Sequence, residues 1–281
     1  MKKILILFLF FIFAAVPVLA KSVEFAVVSD SHLIPSEHPT LFTDSEKKLI
    51  FTVESINKNK DIEFVVFLGD CIDKSNMESL QSFMNIVQNL NKPYYIVFGN
   101  HDAYSLSGVP KEDFSAFIHD YNKRQPKEDT SFYFKASKDA YGLVVDGSSY
   151  VMPGKHGRYL PDVLQEIEKL FKYKKKSMIF IFQHFPLIPP NDNESHYTLD
   201  TEPYLALIKK YKNIVLIASG HFHYKNMIID ENGIYHISAP ALGSRASSNG
   251  SGCYEVIRVD YQKTFFSKPH DITVTVTDVK G

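Results

Sequence analysis

Nine side chains able to bind or serve a metal ion stand in five short blocks: Asp30 and His32, Asp70 and Asp73, Asn100 and His101, His184, and His221 with His223. Carboxylate, imidazole and amide oxygen without thiolate suit a borderline or hard divalent ion such as Mn, Fe or Zn, and do not suit an iron–sulfur cluster or Cu(I). Seven such ligands are too many for one ion that must also hold water and substrate. They fit two ions about 3.5–4 Å apart that share a carboxylate, so two divalent ions are the expected cofactor.

Each block follows a run of apolar residues and should lie where a buried strand ends: AVVSDSH at 26–32, FVVFLGD at 64–70, YIVFGNHD at 95–102, IFIFQH at 179–184 and VLIASGHFH at 215–223. Side chains at the carboxyl ends of neighbouring strands converge on one crevice in open α/β sheets, which lets distant blocks form one site. The pattern predicts strands near 23–30, 63–70, 93–100, 141–146, 177–184 and 213–221, with helices near 44–58, 77–90, 111–124, 161–172 and 201–211 between them. After His223 it changes to strands from Asn226 to Asp230 and Ile234 to Ser238 around Glu231-Asn232-Gly233, then strands near 253–260 and 272–279. Asn-Gly before a β run is a hairpin signal. An α/β first half followed by hairpins gives two sheets face to face with helices outside.

Taken in order, the blocks resemble the calcineurin-like metallophosphoesterases, whose pattern runs D-x-H, G-D-x-x-D, G-N-H-D/E, a lone His and G-H-x-H. This chain reads Asp30-Ser31-His32, Gly69-Asp70-Cys71-Ile72-Asp73, Gly99-Asn100-His101-Asp102, His184 in QHFP, and Gly220-His221-Phe222-His223. The resemblance covers roughly Val23 to Pro240. It implies an α/β fold, a four-layer αββα sandwich of two mixed β-sheets flanked by helices. It also implies one ion on Asp30, His32, Asp70 and His223, a second on Asp70, Asn100, His184 and His221, and a water shared between them as nucleophile. His101 stands where the family places a general acid, with Asp73 expected to orient its imidazole. Spacing and size are similar to the bacterial cyclic-nucleotide phosphodiesterase branch. Lys74-Ser75 stands where the protein Ser/Thr phosphatases have Arg-Gly, and Asp73 where purple acid phosphatases have Tyr.

The partner implied is a small-molecule phosphate ester, mono- or diester. Candidate contacts are Lys155, His156 and Arg158 in PGKHGRYLP, His196 in the loop 185–200, and Arg245 in the Gly/Ser-rich stretch 243–252, because loops above a rigid sheet carry specificity and Arg can clamp phosphate bidentately. Tyr104 and Tyr159 are candidates for stacking on a base. Taken alone, each of these reads equally as a residue without a ligand, His184 as a core histidine, and Asp102 as a turn or cap residue.

With 281 residues and 44% hydrophobic content the chain can bury one large core or two small ones, and a site that needs strands from both halves argues for one domain over 21–281. A net charge of −1 gives no reason to expect nucleic acid, and the run Lys169 to Lys176 reads as the solvated end of an amphipathic helix. Met1-Lys2-Lys3, the apolar run Ile4 to Val16 and Val18-Leu19-Ala20 read as a signal peptide over 1–20, so the mature protein is expected to start at Lys21 and to be periplasmic or extracellular. Kept as an anchor, an apolar stretch of about 17 residues is at the low end for spanning a bilayer. No stable span is therefore expected after cleavage. Cys71 and Cys253 would either pair or remain free. Two rival readings are a metal-binding protein of the same fold without turnover and a dinuclear hydrolase of a non-phosphate bond. His101 with Asp73 disfavours the first, and the Asn100-His101 block the second.

Overall fold

The computed structural model describes residues 19–35, 44–102, 108–148, 154–243, 252–264 and 267–280. In chain order the first half comprises β1 (Leu19–Val28), α1 (Ser45–Lys58), β2 (Phe64–Phe67), α2 (Met77–Val87), β3 (Tyr94–Ile96), α3 (Lys111–Tyr121), β4 (Phe132–Lys135) and β5 (Ala140–Val145). The second comprises α4 (Pro161–Tyr173), β6 (Met178–Gln183), α5 (Glu202–Ile208), β7 (Ile214–Ser219), β8 (Asn226–Ile229), β9 (Tyr235–Ser238), β10 (Cys253–Lys263) and β11 (His270–Lys280), with one 3₁₀ turn at Glu194–His196.

Successive side chains on a strand point to opposite faces, so an apolar run without alternation must be covered on both sides. The runs ahead of the ligand blocks meet that condition. Phe25 and Val27 of β1 face the space between two sheets, whereas Ala26 and Val28 pack with Leu49, Val53 and Ile56 of α1. Phe180 and Phe182 of β6 likewise point between the sheets, while Ile179 and Ile181 pack with Leu164, Ile167 and Leu170 of α4 and Leu207 of α5. One sheet has the order β11-β10-β1-β2-β3 and the other β4-β5-β6-β7-β9-β8. Parallel pairs β1·β2, β2·β3, β5·β6, β6·β7 and β7·β9 carry antiparallel strands at the sheet margins. The result is the four-layer αββα sandwich of two mixed sheets that the resemblance implied.

Local signals agree with the helix ends. The Asn76 side chain accepts the Ser79 N–H at 2.8 Å at the start of α2, and α4 opens on Pro161, where a missing N–H costs nothing. In the β8–β9 turn the Asp230 carboxylate accepts the N–H groups of Asn232 and Ile234, and Gly233 takes φ +80°. Several expectations change. β4, unforeseen in the sequence, pairs antiparallel with β5 as an edge strand too short to show periodicity. β1 begins at Leu19 rather than near Val23, because Leu19 through Ser22 pair with Asp260 through Lys263 of β10. α5 ends at Ile208. Both cysteines are free, Cys71 in the core. Among the described residues no helix is long and apolar enough to cross a membrane.

Candidate metal centre

The chain leaves β1, β2, β3, β6 and β7 through turns that bring the five blocks toward each other. Seven non-glycine residues among those described have positive φ, and five of them are ligand candidates: Asp30 (49°), His32 (41°), Asp70 (48°), His221 (71°) and His223 (53°). That region is disfavoured for residues with a Cβ and tends to collect at functional sites. The motif glycines make room for this. A Cβ on Gly99 would run into Asp70, and one on Gly220 into Ser29 and Asp30.

Two clusters result, each with ligand atoms within 4.8 Å of one another: Asp30, His32 and His223, and Asp70, His184 and His221. A third grouping, His32, Asp70 and His101, lies across the join. In the first cluster His223 Nε2 is 3.2 Å from Asp30 Oδ1 and 3.1 Å from His32 Nε2. In the second, His184 Nε2 is 3.3 Å from Asp70 Oδ2, and that same oxygen is 3.8 Å from His32 Nε2. Asp70 therefore faces both clusters. Asn100 stands between Gly99, which abuts Asp70, and His101, whose backbone N–H donates to Asp70 Oδ1 at 2.8 Å.

Surrounding groups aim the rings. His184 Nδ1 is 2.7 Å from the Leu68 carbonyl and His221 Nε2 is 2.7 Å from the Lys155 carbonyl, so each ring donates one N–H to the backbone and keeps its other nitrogen for the cluster. Ser29 Oγ and the His221 N–H both donate to Asp30 Oδ2, leaving Oδ1 for the site. Asp102 accepts the backbone N–H groups of Cys71, Ile72 and Gly99, tying two ligand turns together, which is the turn role expected of it. Ser29, Leu68, Lys155 and Asp102 act on the site through contacts that spacing does not reveal.

The charges are strongly coupled. Burial pushes the Asp30 carboxyl up, but His223 beside it pulls it down to about 2. Asp70, equally buried, is held well below the usual range by His184, His101 and His32. Burial works against a charged His184, yet Asp70 raises it to about 9, whereas burial and the neighbouring His184 drive His221 down to about 3. His101 is raised: burial opposes its charge, and Asp70 and the Asp73 carbonyl outweigh burial. Burial and the Asp70 charge push Asp102 up to about 7 against its three N–H donors, an effect that cations at Asp70 would cancel.

These residues fit a pair of divalent cations. Among the described residues, buried Asp30 Oδ1, Asn100 Oδ1 and His184 Nε2 have no hydrogen-bond partner, which is costly for buried polar atoms unless something else satisfies them. The donor set is oxygen and imidazole nitrogen, and the Cys71 thiol, held protonated by burial and by Asp102 and Asp70, is outside it.

Asp73 acts differently from the expected manner. Its backbone carbonyl, not its carboxylate, holds His101 Nδ1 at 2.7 Å, and its carboxylate turns to His32 Nδ1 at 3.4 Å. Of the candidate substrate contacts, the His196 ring lies 5.0 Å from the His221 ring, and Lys155 meets that ring through its backbone carbonyl. His156 Nδ1 lies 2.7 Å from the Tyr197 carbonyl, and Arg158 is committed to Asp200 at 2.9 Å. Tyr159 is a core residue whose hydroxyl donates to the Phe185 carbonyl, so it cannot stack on a base. Arg245 and Tyr104 fall outside the described residues.

A two-sheet sandwich with Asp, Asn and His side chains gathered at strand ends and able to hold cations is an arrangement that suits a metal-dependent phosphoesterase. The chain belongs to the calcineurin-like phosphoesterase family, whose model matches residues 23–225. It is 26% identical over 216 residues to the "Probable cyclic nucleotide phosphodiesterase" of Colwellia psychrerythraea, covering 72% of this chain and 71% of that protein. It is 20% identical over 266 residues to the manganese-dependent ADP-ribose/CDP-alcohol diphosphatase of Arabidopsis thaliana, covering 78% and 83%. Among solved structures a dimetal phosphatase from Danio rerio superposes with a TM-score of 0.65 at 13% identity, over 90% of this chain and 98% of that one.

Proposed function

We propose that this phosphoesterase is exported and hydrolyses small-molecule phosphate esters, diesters ahead of monoesters, with two divalent cations (Mn, Fe or Zn) and His101 as general acid. Asp30, His32, Asp70 and His223 would hold one cation, and Asp70, Asn100, His184 and His221 the other. When bound, the pair would supply a nucleophilic water near neutral pH and offset charge on the phosphate.

The observation that carries the reading is His101. Its Nδ1 is fixed on the Asp73 carbonyl at 2.7 Å, so Nε2 is the nitrogen left to face the cluster; in the metal-free protein burial opposes a charged ring, and Asp70 and the Asp73 carbonyl shift it toward the protonated form. A held proton beside the cations is what an alkoxide leaving group needs. A diester with two alkyl arms makes that demand most strongly, and the relatives' names, a cyclic nucleotide phosphodiesterase and a diphosphatase, support the preference. Export rests on the segment Met1 to Ala20.

The test is a panel of phosphomonoesters and of cyclic and linear diesters, assayed with Mn, Fe or Zn while bound metal is measured. Turnover of diesters above monoesters at a metal ratio near two is expected. Two bound ions without hydrolysis of any ester would favour the metal-binding reading instead. N-terminal sequencing of the exported chain should begin at Lys21.

A further inference from the structure

The opposite end of the sandwich, where the strands begin, has a different chemistry. A cavity of about 410 Å³ there is lined by Lys172, Lys175, Lys176, Lys210, Lys212 and Lys268, and no carboxylate lines it. All six lysines are exposed, and only Lys172 forms an ion pair among the described residues, with Glu168 at 3.2 Å. Lysines commonly complement helix carboxyl ends, but that effect is confined to the last turn. Lys175 and Lys176 lie past the end of α4, Lys212 past α5, and Lys268 comes from the connection between β10 and β11, so helix ends do not account for the cluster. In a chain of net charge −1 it is a strong local excess.

A second observation concerns the same end. β1 starts at Leu19, paired with Lys263 at the close of β10, and the connection that carries Lys268 follows directly. Leu19 itself is exposed, and so is Tyr173 at the end of α4, an aromatic type favoured at membrane interfaces.

We infer that the lysine-rich end docks on an anionic lipid surface. Clusters of several lysines are drawn to anionic headgroups, each contributing to the attraction. Docked so, the candidate metal centre, at the opposite strand ends, faces away from the bilayer.

The full chain should sediment with vesicles of phosphatidylcholine plus phosphatidylglycerol, much less with phosphatidylcholine alone, and the difference should shrink as salt rises. Combining Lys175→Gln, Lys176→Gln, Lys212→Gln and Lys268→Gln should weaken binding to the anionic vesicles by about tenfold or more, with ester hydrolysis unchanged. Equal binding to both vesicle types, or a salt-independent difference, overturns the inference without recourse to the variant. So does a folded, active quadruple variant that binds as the original does. Preferential capture of an oligonucleotide over the anionic vesicles would assign the patch to nucleic acid and also overturn it.

Discussion

The two clusters of the candidate metal centre are made of the same groups, one carboxylate and two imidazoles each, yet they are held differently. In the Asp70 cluster both histidine rings donate to backbone carbonyls, and all three residues are buried. In the Asp30 cluster a carboxylate, Asp73, backs His32, and the His223 side chain is 30% exposed. A cation on the Asp70 side would therefore sit in a closed, backbone-built socket. One on the Asp30 side would sit in a socket more open to solvent and backed by a side chain, and is expected to exchange first.

The most damaging change should be the one that abolishes the distinction. Asp70 faces both clusters, so Asp70→Asn should lower turnover by about 10³-fold or more and release both cations, as metal analysis would show. Asn100→Ala should remove only one. Equal and mild losses would break the assignment of Asp70 as the shared ligand.

His101→Ala should leave metal content intact and cost about 10²–10⁴ in rate on an alkyl ester or diester, with far less loss on a p-nitrophenyl ester, whose phenolate leaves unprotonated. If the mutant lost metal, or both substrates fell by the same factor, His101 would be a ligand or a positioning group. Asp73→Asn should reduce cation affinity about 10–100-fold, on the Asp30 side alone. In chelator competition one ion should then leave early and the other at its usual rate. Parallel loss of both ions would erase the contrast drawn between the sockets.

The smallest effect concerns the metal-free protein. His184 is raised from 6.5 to about 9 when folded, burial being outweighed by Asp70. Its protonated form then contributes stability that is complete below pH 6.5 and lost as pH rises through about 9. Thermal melts of metal-free protein should show the melting temperature falling over that window, and His184→Gln should flatten the slope. A slope that persists in the variant would place the titration elsewhere.

What the sequence disclosed follows from how local each signal is. A ligand type immediately after a buried apolar run can be read from a few residues, which is why Asp30, Asp70, Asn100, His184 and His221 were legible as one crevice. The order of the blocks made the four-layer fold legible as well. Aim was not legible. That the Asp73 carboxylate faces His32 rather than His101, and that Arg158 is spent on Asp200, depends on backbone turns and on partners from other loops. The carbonyls of Leu68 and Lys155 have no side-chain identity to read. β4 was missed because four residues on a sheet edge show no period, and the first residues of β1 because their pairing to β10 spans most of the chain.

The positive φ of Asp30, His32, Asp70, His221 and His223 has an evolutionary corollary. Glycine, asparagine and aspartate enter that left-handed region most readily. Replacing a ligand carboxylate there by Asn or Gly keeps the turn and forfeits the cation. Replacing it by Glu keeps the charge and strains the turn. Drift away from catalysis thus has a path that leaves the scaffold whole, and a descendant of this chain could keep its sandwich as a recognition module after its metals were gone.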